Sequence, residues 1–150
     1  MSPTFPYLLY LIMKRIMFVC THNARRSQMA EGFARAIAGE RIEVTSAGLE
    51  ISQVDPMTIQ AMAEVGIEIR NQTSKRLRDF APEDYDAVIS LCSCGVKLPT
   101  DWLLREVFED WQLEDPEGQS MATFRCVRDE IKVRVEKLIQ TLTAGRPATF

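Results

Sequence analysis

The sequence predicts an α/β protein: an open, doubly wound, four-stranded parallel sheet with helices on both faces. Three observations carry this expectation. Apolar or β-branched runs of strand length alternate with segments of helical period, the order that builds a parallel sheet. The first run, residues 16–19, ends on Cys20 and turns directly into a helix, as a strand does when it delivers a loop to the carboxyl edge of such a sheet. A chain of 150 residues also suits one domain, able to bury ~70% of its unfolded surface and so to cover a sheet on both sides.

Residues 1–13 stand apart from that pattern. The apolar run from Phe5 to Met13 is shorter than the ~20 residues that span a bilayer. It also lacks the preceding basic residues and the small-residue cleavage site of a secretory leader. An extension outside the fold, read from an upstream start codon, is the preferred account. An arm that packs on a neighbouring chain is the rival. The domain proper is expected to occupy residues 14–150.

After Cys20, Met29, Phe33 and Ile37 recur at four-residue spacing with Ala30 and Ala34 beside them, which predicts a helix with one apolar face. Residues 41–46 alternate and are β-branched, a second strand that runs into Ala47-Gly48. Asp55-Pro56 opens a second helix with a capping acid and a first-turn proline; Ile59, Met62 and Val65 are expected on its buried face, and Gly66 ends it. Residues 86–91 read as a third, largely buried strand leading to Cys92-Ser93-Cys94-Gly95. Residues 106–111 fit a fourth strand at the sheet edge, and residues 112–118 a loop. The last helix carries Phe124, Val127, Ile131, Val135, Leu138 and Leu142 at three- and four-residue intervals, with Cys126 off that stripe.

Composition narrows the classes. A net charge of −3 without an evident basic face argues against nucleic acid as a partner, and no segment is long and apolar enough to suggest a membrane. Four cysteines in a chain of this length are not the framework of a stapled miniprotein, so a reducing compartment, the cytoplasm, is expected.

The chemistry gathers at Cys20-x5-Arg26-Ser27. A loop between a strand and a helix offers successive N–H groups, here of Thr21, His22, Asn23, Ala24 and Arg25, to a common centre. The first helical turn adds unpaired N–H groups and the positive end of its dipole. Such a cradle attracts a tetrahedral oxyanion and favours a thiolate at Cys20, which becomes the expected nucleophile. Arg26 supplies a planar fork for two equatorial oxygens, a geometry lysine cannot copy. Ser27 is placed to donate its hydroxyl to the thiolate. The bland alternative is an inert cysteine at a strand end.

Expulsion of an oxygen leaving group needs a proton, and Asp115, stiffened by Pro116, is the candidate acid; the competing reading is a turn residue. Cys92-x-Cys94 separates two chemistries. Hydrolysis moves no electrons and needs one thiolate, whereas two-electron reduction of an element such as As(V) draws on a pair of thiols. Two buried core thiols are the sober alternative. A metal is not expected, because a tetrahedral zinc site needs four ligands and the only histidine lies in the cradle.

Val19-Cys20-Thr21-His22-Asn23-Ala24-Arg25-Arg26-Ser27-Gln28-Met29-Ala30-Glu31-Gly32, Thr45-Ser46-Ala47-Gly48 and Asp115-Pro116 together resemble the low-molecular-weight tyrosine phosphatase fold, and within it the arsenate reductases. The segments 91–96 and 108–116 look most like the cyanobacterial-type branch, which takes electrons from glutathione and glutaredoxin. The resemblance implies Cys20 as nucleophile, Arg26 as oxyanion clamp, Asp115 as general acid and Cys92 and Cys94 as the thiols that complete reduction. It further implies that Asn23 holds the loop's shape and that Ser27 supports the thiolate. Arsenate is the implied substrate, with phosphate or sulfate competing, no bound cofactor, and glutathione as reducing co-substrate through glutaredoxin or thioredoxin. Thioredoxin-coupled members often carry a cysteine where this chain has Arg25. In some relatives a potassium ion sits among positions matching Asn23, Glu31, Ser46 and an acid; here the acid's place is Lys75, whose ammonium is expected to replace the ion.

Two other readings compete. A phosphotyrosine phosphatase places aromatic residues after the Asp-Pro pair, whereas Pro116 is followed by Glu117-Gly118-Gln119. A non-enzymatic arsenite-binding or thiol-sensing protein leaves Arg26 and Asp115 without a task.

Overall fold

The computed structural model describes residues 14–92 and 97–144. Four parallel strands, β1 (Lys14–Cys20), β2 (Ile42–Gly48), β3 (Ala87–Ser90) and β4 (Val107–Asp110), form one sheet in the order β2-β1-β3-β4. Helices α1 (Arg26–Ala38), α2 (Pro56–Ala63), α3 (Thr100–Leu103) and α4 (Met121–Thr143) make the crossovers and the last layer. The alternation read from the sequence thus yields the expected parallel α/β sheet, with its order reversing beside β1.

Burial follows the pleat. Ile16, Phe18, Ile89 and Leu91 join the core beneath α1, α2 and α4, while Met17, Val19, Ala47 and Val88 pack on the other face against Leu77, Tyr85 and Trp102 of α3. Residues 16–20 of β1 are all buried, so this strand cannot slip without exposing both faces at once. A full burial such as that of Phe18 stabilises by roughly 1.5–3 kcal/mol. The apolar stripe of α4 is buried at all six expected positions, and Cys126 is exposed. Asp55 caps α2 by accepting from Met57 N–H at 2.9 Å.

Two details differ from the sequence reading. Val65 is 40% exposed, because α2 ends at Ala63 and Val65 belongs to the turn that closes on Gly66, whose φ is +81°. Helix α3 was not expected; a single turn is too short for helical periodicity to register. The expectations for residues 1–13 and for Cys94 fall outside the described residues. No helix among the described residues is long and apolar enough to cross a membrane.

Candidate active site

The buried strand β1 fixes Cys20 at the carboxyl edge of the sheet, opposite Gly48 of β2. From there the loop is tied down by its carbonyls. Cys20 O accepts from Leu49 N–H (3.2 Å), Thr21 O from Glu50 N–H (2.9 Å) and Ala24 O from Asp55 N–H (3.1 Å). His22 O accepts from Ser74 Oγ (3.1 Å), and Asn23 O from Gln28 Nε2 (3.0 Å). None of these donors lines the cavity beside Cys20, so the negative ends of the loop's peptides are turned away from it. Gly48 makes the close approach possible: a Cβ there would stand 2.6 Å from Glu50 O and 2.8 Å from Asn23 N.

Asn23 takes the left-handed conformation, φ +54°, which few non-glycine residues adopt. Its buried amide uses every hydrogen-bonding position to hold that shape. Nδ2 donates to Ser27 Oγ (2.8 Å) and Ser46 Oγ (2.9 Å), while Oδ1 accepts from Lys75 N–H (2.8 Å) and Gln28 Nε2 (3.0 Å). Ser27 Oγ lies 2.8 Å from Cys20 Sγ. Since that oxygen already accepts from Asn23, its own proton is available to the sulfur.

The cavity is a narrow cleft lined by Cys20, His22, Ala24, Arg25, Arg26 and Asp115. Arg26 Nη1 donates to Leu113 O (3.1 Å) and Nη2 stands 3.5 Å from Asp115 Oδ2. Its Nε is buried with no hydrogen-bond partner. A buried guanidinium N–H left unpaired costs free energy unless an acceptor reaches it, and an anion beside Cys20 would be that acceptor. Arg25, 11% exposed, reaches three carboxylates: Asp115 (3.2 Å), Asp55 (3.2 Å) and Glu117 (3.5 Å). Asp115 also accepts from Glu117 N–H at 3.1 Å.

The structure therefore brings Cys20, His22, Ala24, Arg25, Arg26 and Asp115 around one cavity, with Asn23 and Ser27 buried behind the sulfur; Thr21 is not part of the lining. Cys92 follows β3 on the same sheet edge but does not line the cavity. Its Sγ lies 3.8 Å from Ser90 Oγ, and it is disulfide-bonded, whereas Cys20 and Cys126 are free thiols. Ser90 is the register partner of Val19 on the α3 face, and its Oγ has the Cys92 sulfur beside it, whereas Cys20 continues the α1 face of Ile16 and Phe18.

A second layer runs outward from Asn23. Ser46 Oγ donates to Glu31 Oε1 (2.5 Å), Arg35 pairs with Glu31 (2.7 Å), and Lys75 Nζ lies 3.7 Å from the same Oε1 while donating to Thr73 O (2.6 Å). Sequence reasoning missed Gln28, whose amide also donates to Thr73 O (3.0 Å) and accepts from Gln72 Nε2 (2.8 Å). The available signal was a neutral polar side chain inside a helix of buried residues. The side-chain contacts of Arg25 leave no local signal in the sequence either, because its carboxylate partners come from two distant loops.

Comparison with known proteins agrees with this geometry. The family model described as low molecular weight phosphotyrosine protein phosphatase matches residues 15–148. A glutaredoxin arsenate reductase from Synechocystis is 56% identical over 131 residues, covering 87% of this chain and 100% of that protein. An arsenate reductase from Staphylococcus xylosus is 44% identical over 128 residues, covering 82% and 94%. Among solved structures, one of an arsenate reductase in the phosphate binding state superposes with a TM-score of 0.82 at 57% identity, covering 86% of this chain and 98% of that one.

Proposed function

The chain belongs to the low molecular weight phosphotyrosine protein phosphatase family, and from that premise we propose that it is an arsenate reductase drawing electrons from glutathione and glutaredoxin. The observation that carries the reading is the buried, unpartnered Nε of Arg26 together with the free thiol of Cys20, both residues lining one narrow cleft.

In this mechanism arsenate enters the cradle and is clamped by Arg26 and the N–H groups of residues 21–25. The thiolate of Cys20, supported by the Ser27 hydroxyl, attacks arsenic. Asp115 gives a proton to the departing oxygen, which leaves as water, and a Cys20 S–As(V) adduct remains. A second thiolate then attacks the Cys20 sulfur. The S–S bond forms as the S–As bond breaks, the bonding pair stays on arsenic, and As(III) departs as arsenite. Cys92 and Cys94 are the proposed relay thiols, and glutathione with glutaredoxin returns the disulfide to thiols. No metal takes part. Lys75 acts as a fixed cation beside Glu31, where related enzymes use an ion. The site sits in the cytoplasm in this reading.

Phosphate fits the same cradle, and weak hydrolysis of phosphate esters follows from the shared first step. Tyrosine phosphatase activity as the main function is disfavoured by Glu117-Gly118-Gln119 after Pro116, which gives a phenyl ring no aromatic wall. The test is arsenate-dependent NADPH oxidation with a glutathione/glutaredoxin system and, separately, a thioredoxin system. Turnover with the first, abolished in Cys20→Ser, is expected. Fast hydrolysis of phosphotyrosine peptides without arsenate turnover reverses the reading, and normal kinetics in Cys92→Ser removes Cys92 from the relay.

A further inference from the structure

We propose that the pocket lined by Leu49, Glu50, Ile51, Arg76 and Arg78 is the docking site of glutathione, its two carboxylates received by the two guanidinium groups. The inference rests on the arsenate-reductase reading and names where the reducing co-substrate binds. At about 300 Å³ the pocket meets the lower end of the roughly 300–1,000 Å³ of small-molecule sites. It is built onto the nucleophile loop. Leu49 and Glu50 donate their N–H groups to the carbonyls of Cys20 and Thr21, and Gly48 forms a parallel bridge with Arg76. His22 joins the two cavities: it lines the cradle, and its Nε2 lies 3.8 Å from Glu50 Oε2 in the pocket wall.

The charges fit one ligand class. Among the described residues neither Arg76 nor Arg78 has a side-chain hydrogen bond or ion pair, although carboxylates are plentiful in this chain. A guanidinium receives a carboxylate through two parallel N–H bonds, and two such forks with one carboxylate, Glu50, mirror a molecule with two carboxylates and one ammonium. Glutathione is that molecule, and it carries a thiol. Leu49 and Ile51, the latter 49% exposed, offer apolar contact to its backbone.

Position supports the same occupant. Leu49 packs on the sheet face that also holds Val19, Leu77 and Val88, the face to which Cys92 belongs. Gly48 stands between Cys20 and Arg76, so Arg76 lies two strand spacings, about 10 Å, from Cys20 and three, about 14 Å, from β3. With its two terminal carboxylates held at Arg76 and Arg78, the thiol of the central cysteine stays free of both forks, in a pocket whose wall is bonded to the Cys20 loop.

The test uses the whole chain and S-methylglutathione, which keeps the carboxylates and ammonium but has no free thiol. Saturable binding is expected, with amide NMR shifts largest at Leu49, Glu50, Arg76 and Arg78. Affinity should fall at least about tenfold in the Arg76→Ala/Arg78→Ala variant and recover in part in Arg76→Lys/Arg78→Lys. In steady state the alanine variant raises KM for glutathione by a similar factor, while KM for arsenate and hydrolysis of p-nitrophenyl phosphate stay unchanged. Absence of binding to the wild type, or equal binding by the alanine variant, overturns the site. A raised KM for glutaredoxin with none for glutathione also overturns it, in favour of a protein-docking surface. Binding that persists in a wild type unable to turn over arsenate faults the enzymatic reading and leaves the glutathione site standing.

Discussion

Replacing Arg25 with alanine tests how the mouth of the cradle is held. Its guanidinium, 11% exposed, braces two loops by reaching Asp55 at 3.2 Å and Asp115 at 3.2 Å, with Glu117 at 3.5 Å. The three contacts are unequal. Glu117 is 61% exposed and its pair contributes little, about 0–0.5 kcal/mol. Asp115 is 37% exposed, which discounts that pair to about 0.5–1 kcal/mol. Asp55 is 19% exposed, and this charge-assisted bond is the strongest, about 1–1.5 kcal/mol. The sum is about 1.5–3 kcal/mol, or roughly 3–12 °C in Tm for a domain of this size. Urea denaturation of Arg25→Ala, Asp55→Ala and the double variant measures it. Because Asp55 also caps α2, only the coupling in the cycle isolates the pair, and it should be about 1 kcal/mol. Strict additivity, or a loss below about 0.5 kcal/mol for Arg25→Ala, would refute the bracing argument. Asp115 keeps Arg26 Nη2 at 3.5 Å and Glu117 N–H at 3.1 Å, so arsenate turnover should fall less than about tenfold. A thousandfold loss would place Arg25 in the chemistry instead.

Three further predictions follow from the same geometry. Gly48→Ala puts a Cβ 2.6 Å from Glu50 O and 2.8 Å from Asn23 N, both backbone atoms, and should cost about 1–3 kcal/mol of stability; inhibition by inorganic phosphate should weaken more than about tenfold, and an unchanged inhibition constant would show that the loop yields. Lys75 lies 3.7 Å from Glu31 Oε1, so the wild type should be indifferent to potassium chloride, whereas Lys75→Ala should be slower and regain activity with potassium but not with choline. Strong potassium stimulation of the wild type contradicts the substitution of one cation by another. The Arg125 side chain, helped by Arg128, lowers Glu64 from its ordinary 4.5 to about 2. A carboxylate depressed in the folded state stabilises fully above its unfolded value and loses that contribution as pH falls through the folded value. Between about pH 4.5 and 2 wild-type stability should therefore drop more steeply than that of Glu64→Gln, and parallel curves would remove the link between α2 and α4 from the account.

The fold was legible where a pattern repeats over enough residues. The stripe of α4 and the buried run of β1 declared themselves because burial on one face, or on both, dictates residue type at every position. Val65 misled because it keeps the helical spacing two residues past the point where α2 stops. The cradle was legible because strand, loop and helix terminus follow one another in the chain. Long-range contacts were not: the bonds from Gln72 to Gln28 and from Lys75 to Asn23 join segments 44 and 52 positions apart, and nothing local marks them. The three carboxylates around Arg25 escaped notice for the same reason, coming from two separate loops.

Cys20 and Cys92 emerge from opposite sides of one sheet edge, and that separation has a kinetic signature. In the proposed relay, oxyanion and electron donor then approach through different doors. In a phosphate-rich milieu the first door is obstructed while the second stays clear, so phosphate should compete with arsenate yet show a noncompetitive pattern against the thiol donor.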